Sequence, residues 1–134
     1  MMALTSLAVL VALLEFFFFG IQVGRARVRL GVDAPAMTGH PEFERFFRVH
    51  MNTLEQLVLM VPSAYVFAYF VGDKWAAGAV AVFIVGRFVY YRSYVANPAS
   101  RGLGFGLTAL PTMVMLIGSI IAIAMHLLQG APAA

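Results

Sequence analysis

"FFRVHMNTLEQL", residues 46–57, decides how this chain is read. It opens a long apolar run, yet it carries Arg48, His50, Asn52 and Glu55. At about 100° per residue, Arg48, Asn52 and Glu55 fall within roughly 60° of one helical face. A helix entering a membrane tolerates such groups only where something binds them, so the stretch poses a question about a ligand as much as about a fold.

The rest of the chain supplies the membrane. It has 134 residues, of which 62% are hydrophobic and 11% charged. Soluble proteins run at about 45–50% apolar and about 25% charged. Four windows match the roughly 20 residues needed to cross a hydrocarbon core. The expectation is an all-α integral membrane protein, a four-transmembrane-helix bundle in one domain over 1–134. Its helices are expected near 2–23, 42–71, 75–96 and 105–128. The first window lacks a basic leader and a small-residue cleavage site, which reads as a retained helix rather than a signal peptide.

Four spans put the 1–2 and 3–4 loops on one side and both termini with the 2–3 loop on the other. Arg25, Arg27, Arg29, Arg45, Arg48, Arg87, Arg92 and Arg101 lie at or near the first side; Lys74 alone lies on the second. The positive-inside rule then makes the 1–2 and 3–4 loops cytosolic. The net charge of +3 needs no nucleic acid to explain it. The short chain, without a retention signal, points to a bacterial inner membrane. There is no cysteine, which excludes disulfides, cysteine nucleophiles and cysteine metal ligands; any thiol chemistry must use a thiol that arrives with a ligand.

Punctuation along the chain agrees with four spans. "GRARVRLGVDAP" marks the exit of helix 1. Pro41 suits a first helical turn, and Glu42 and Glu44 suit the positive end of a helix dipole. Pro62 should kink helix 2 at little cost among neighbouring helices. "GDKW" reads as a tight turn with Trp75 at the headgroups, "ANPASRG" as the return loop, and the tail "GAPAA" as frayed.

Helix 3 carries a second polar stripe. Arg87, Tyr90 and Tyr94, at i, i+3 and i+7, again fall within about 60°. Two helices thus offer polar faces toward the same end of the bundle. Buried polar groups cost several kcal/mol unless paired. Two readings satisfy them: Arg48 pairs with Glu55 while the tyrosines anchor at the interface, or the stripes face a ligand. Guanidinium for carboxylate, carboxylate for ammonium and amide for amide would suit a small zwitterion.

"FERFFRVHMNTLEQ", with its Arg-x-x-x-Asn-x-x-Glu spacing, and "RFVYYRSYVANPASRG" resemble the family of membrane-associated proteins in eicosanoid and glutathione metabolism. The proline-containing exit loop is most similar to the microsomal glutathione transferase branch. The resemblance implies a homotrimer of four-helix protomers, with glutathione held between neighbouring subunits at the cytosolic side. It implies glutathione contacts from Arg48, Asn52 and Glu55 with His50 nearby, from Arg87, Tyr90 and Tyr94, and from Arg27 beyond helix 1. Arg101 matches the arginine that stabilises the glutathione thiolate. Where some members have tyrosine after the motif glutamate, this chain has Gln56.

The expected activity is that of a membrane-bound glutathione transferase or peroxidase, which activates the glutathione thiolate against lipophilic electrophiles or hydroperoxides. Glutathione enters as co-substrate; the other partners are a lipophilic small molecule and the lipid bilayer, with no metal. The alternatives are a non-catalytic lipid-binding scaffold resembling the activating-protein branch, a glutathione-dependent isomerase, and a small transporter or channel subunit. Glu15, in the middle of helix 1, is expected to have a buried partner or to be protonated. Arg25, Arg29, Arg45 and Arg92 read as topology and headgroup anchors. His40, His50 and His126 are too scattered for a metal site, and no His–Asp arrangement activates Ser63, Ser93, Ser100 or Ser119.

Overall fold

A computed structural model describes residues 1–130; the remainder of the expected frayed tail lies outside the described residues. Four helices follow in order: α1 (Ala3–Leu30), α2 (Pro41–Phe70), α3 (Asp73–Ala96) and α4 (Gly102–Gly130), with a 3₁₀ turn at Pro98–Ser100 before α4. All four are long and apolar enough to cross a membrane. Helix α1 runs on to Leu30 rather than stopping at Val23. At 1.5 Å per residue its 28 residues reach about 42 Å, against about 30 Å of hydrocarbon. Its last two turns, with the arginines, therefore project beyond the apolar layer, where continuing the helix keeps the backbone bonded.

Local chemistry explains the ends. Gly31 caps α1 with φ 68°, a left-handed conformation that glycine adopts without steric cost, and its N–H donates to Arg27 O. His40 caps α2: its Nδ1 accepts from Glu42 N at 3.1 Å, with Pro41 in the first turn. The start of α1 is capped from another helix. Asp73 takes Thr5 N at 2.8 Å, Leu4 N at 3.0 Å and the Thr5 hydroxyl at 2.7 Å. This joins the first turns of α1 and α3 at one end of the bundle. At the opposite end Arg45 Nη1, near the start of α2, donates to Val95 O at 3.1 Å, satisfying a carbonyl of the last turn of α3. Arg45 is therefore a tertiary clamp, a role beyond the anchoring expected of it.

Lipid tails are as apolar as leucine, so the helices adhere through close packing. The main core contains Val9 and Ala12 of α1, Leu57, Met60, Ala64, Phe67 and Ala68 of α2, Ala76, Val80 and Phe83 of α3, and Met115 of α4. Leu7, Leu14, Phe17, Val58, Val85, Leu110 and Ile120 remain exposed on the outside, as a lipid-facing surface requires. Glycines bring α3 and α4 together: a Cβ on Gly86 would lie 2.7 Å from Leu107 C, and one on Gly104 would lie 2.5 Å from Tyr90 Cα. Thr53, Ser63, Thr108, Thr112 and Ser119 each donate to the carbonyl four residues back, so their hydroxyls are satisfied without water.

Candidate functional site

Helices α2, α3 and α4 enclose a cleft of about 460 Å³ lined by Arg48, Asn52, Tyr90, Tyr94, Arg101 and Phe105. Small-molecule sites commonly span about 300–1,000 Å³. The two polar stripes and the loop arginine, distant in sequence, converge on this one space. Arg87 forms its base rather than its wall. It is fully buried, donates from Nη2 to Asn52 Oδ1 at 3.0 Å and from Nη1 to Thr108 Oγ1 at 3.4 Å, and lies over the Tyr90 ring at 4.2 Å. Because Arg87 occupies the amide oxygen, the Asn52 amide is fixed with its NH₂ group outward, toward Glu55 Oε2 at 3.4 Å.

At the mouth, Arg48 and Glu55 form an ion pair at 3.5 Å with both side chains about half exposed, 52% and 54%. Such a pair is worth at most about 1 kcal/mol and opens readily to a better partner. The self-satisfying arrangement is thus present, but it is weak. Tyr90 and Tyr94 stack with centroids 5.4 Å apart, presenting two phenols on one face.

Arg101 is set by the loop before α4. Asn97 Oδ1 accepts from Ala99 N at 3.1 Å, while the single Ser100 O–H is shared between Asn97 O at 2.7 Å and Ser93 O at 3.0 Å. This clip leaves the Arg101 guanidinium exposed, with one weak bond to Pro98 O at 3.4 Å. Its charge stays available to a guest in the cleft.

Two expected contacts lie elsewhere in the bundle. His50 stacks on Phe16 of α1, ring centroids 4.5 Å apart, and packs against Gly20. Arg27 donates to Val32 O at 3.3 Å and to Ala36 O at 2.7 Å and covers the Phe43 ring at 4.7 Å. It pins the α1–α2 connection. Neither residue borders the cleft of its own chain. Arg29, expected as a headgroup anchor, pairs with Glu42 at 2.6 Å. Sequence reasoning missed Phe105 and Thr108, which nothing in their apolar context distinguishes; only the approach of α4 to α3 brings them in.

Fold and cleft together define a class: a four-helix membrane protein with a cationic, phenol-lined cleft at one end. Residues 4–121 match the MAPEG family, and the chain belongs to that family. Among similar proteins, the uncharacterized protein sll1147 of Synechocystis sp. is 37% identical over 92% of this chain and 90% of its own. Microsomal glutathione S-transferase 2 of Homo sapiens is 33% identical over 75% of this chain and 71% of its own. Leukotriene C4 synthase of Bos taurus is 31% identical over 74% and 66%.

Proposed function

We propose that this protein is a membrane-bound glutathione transferase, with peroxidase activity toward lipophilic hydroperoxides by the same chemistry. The observation that carries the reading is the convergence of Arg48, Asn52, Tyr90, Tyr94 and Arg101 on one cleft. Similarity to a glutathione S-transferase and to leukotriene C4 synthase supports it. In this reading the glutathione carboxylates meet Arg48 and the phenols, the ammonium meets Glu55, and a peptide carbonyl meets the outward Asn52 NH₂ group.

The thiol is left beside Arg101. A free cysteine thiol has a pKa near 8.5, so about 3% is thiolate at pH 7. Lowering it by about two units takes roughly 2.7 kcal/mol. A guanidinium about 4 Å away supplies about 1 kcal/mol in bulk water and about 4 kcal/mol where the bound ligand has lowered the effective dielectric to about 20. Arg101 therefore supplies the shift once bound glutathione excludes water from the cleft. The thiolate then attacks an electrophilic carbon, forming a thioether as the leaving group departs, or attacks a peroxide oxygen, giving a sulfenic acid and an alcohol. A second glutathione resolves the sulfenic acid to disulfide and water. The apolar groove between α2 and α4, walled by Val58, Pro62, Val66, Leu116 and Ile120, suits a lipophilic co-substrate.

A homotrimer completes the site. His50 and Arg27 face away from the cleft of their own chain, and in an assembly of identical protomers they would serve a neighbour's. Orientation follows from charge. The Arg45 clamp puts the α1–α2 and α3–α4 loops at the same end. With Arg87 buried, seven basic residues stand there against Lys74 at the other, which makes the arginine-rich end cytosolic. The proposed setting is a bacterial inner membrane.

The test is the ultraviolet absorption of bound thiolate when glutathione is added to detergent-purified protein near neutral pH. A band proportional to protein, absent in Arg101→Ala although glutathione still binds, is the expected result. Binding with no thiolate in the unaltered protein would favour a non-catalytic role, and absence of binding would remove glutathione from the reading altogether.

A further inference from the structure

Glu15 is the only charged side chain in the first 24 residues, and neither polar stripe nor the cleft uses it. Its Oε1 is sealed from the surface and has no hydrogen-bond partner; Arg87 Nε is sealed and unpartnered as well. The two ion pairs among the described residues, Arg29–Glu42 and Arg48–Glu55, involve neither. Yet the two residues stand on neighbouring turns of adjacent helices. Thr5 binds Asp73 and the Phe19 ring meets the Tyr91 ring at 5.1 Å, so α1 and α3 run parallel and side by side. One helical turn back from Phe19 is Glu15; one turn back from Tyr91 is Arg87. Each lies in the other's electrostatic field.

We infer that Glu15 is the counter-charge of Arg87 and, through Arg87 and Asn52, a positioning residue for the cleft. A guanidinium carries five N–H donors, and the Nη1 and Nη2 bonds to Thr108 and Asn52 leave the Nε–H for a third direction. One leftover donor and one leftover acceptor on neighbouring turns complement each other in an apolar layer, where an uncompensated ion is costly. The carboxylate holds Arg87 toward α1 while its Nη2 holds the Asn52 oxygen. Without Glu15, the carboxylate left in the field of Arg87 is Glu55, at the mouth of the cleft. Arg87 then shifts toward it, and Asn52 loses the bond that orients its amide.

The consequence for function rests on the glutathione reading, so two measurements are paired. In Glu15→Gln, glutathione affinity should fall about tenfold, the scale of one bond to a charged group, with the thiolate fraction of the bound complex unchanged because Arg101 is not in this chain of contacts. Arg87→Met should lose affinity alike, and Glu15→Gln/Arg87→Met should lose no more than Arg87→Met alone. Unfolding of the same three variants in detergent tests the couple without ligand. The double variant should be less destabilised than the sum of the two single variants, and it should fold even where Glu15→Gln does not. Full affinity in Glu15→Gln, in a protein whose unaltered form binds glutathione, overturns the positioning role. If the unaltered protein binds none, the transferase reading fails and unfolding decides the couple: additive losses overturn it.

Discussion

Gly104 offers the sharpest test of how the cleft is built. An alanine there would place its Cβ 2.5 Å from Tyr90 Cα and 2.8 Å from Tyr90 Cβ. Carbon atoms pack at about 3.5–4.0 Å, so α4 must retreat from α3 by about 1 Å. Overpacking costs about 1–3 kcal/mol, and the obstacle here is a helix backbone that no rotamer change removes, which argues for about 3 kcal/mol. Exchanging glycine for alanine inside a helix returns up to about 1 kcal/mol. The net loss is about 2 kcal/mol. The same displacement pulls Arg101 and Phe105 from Tyr90, and it lengthens the bond by which Arg87 of α3 reaches Thr108 of α4. Glutathione affinity should therefore fall with stability. Gly106→Ala is the control, since a Cβ there meets nothing within 4 Å; its stability should be unchanged or slightly raised. Denaturation in detergent and glutathione titration on both variants provide the assay. If Gly104→Ala unfolds and binds like Gly106→Ala, the close approach of α3 and α4 does not shape the cleft.

Other expectations follow from single contacts. Asn52→Ala leaves the buried Arg87 without its amide acceptor, at a cost of about 1–3 kcal/mol, and should weaken glutathione binding more than tenfold; calorimetric titration and unfolding read the two effects separately. Glu55→Gln keeps the contact with Asn52 but gives up the charge proposed for the glutathione ammonium. It should raise the Michaelis constant for glutathione with little change in turnover, whereas equal loss in both would place Glu55 in the chemical step. Asp73→Ala removes the cap on α1 while leaving the cleft intact. Hydrogen exchange at the Leu4 and Thr5 amides should accelerate while glutathione affinity holds.

Much of the fold was legible before any coordinates. Apolar run length picks out four spans because the hydrocarbon thickness sets a length scale that composition alone can meet. The helix period places Arg48, Asn52 and Glu55 on one face, and Tyr90 and Tyr94 on another, because that geometry is internal to each helix. What the period cannot supply is the rotation of one helix about its axis relative to another. The bundle's packing turns Arg87 inward as the base of the cleft while Tyr90 and Tyr94 form its wall. It sends His50 to the α1 side although His50 sits only two residues from Asn52. It also makes Arg45 a clamp on α3 and Arg27 a pin on the α1–α2 connection, where the count of basic residues treats every arginine alike.

The sequence by itself determined a four-span membrane protein with two polar stripes near one end and a thiol-free interior. The tertiary structure decided which of those polar groups share a space. Gly86 and Gly104 let α3 and α4 approach until Arg101, Phe105 and Thr108 come up against the tyrosines and Arg87. That approach joins residues far apart along the chain, and it depends on where two helix backbones can touch without a side chain between them.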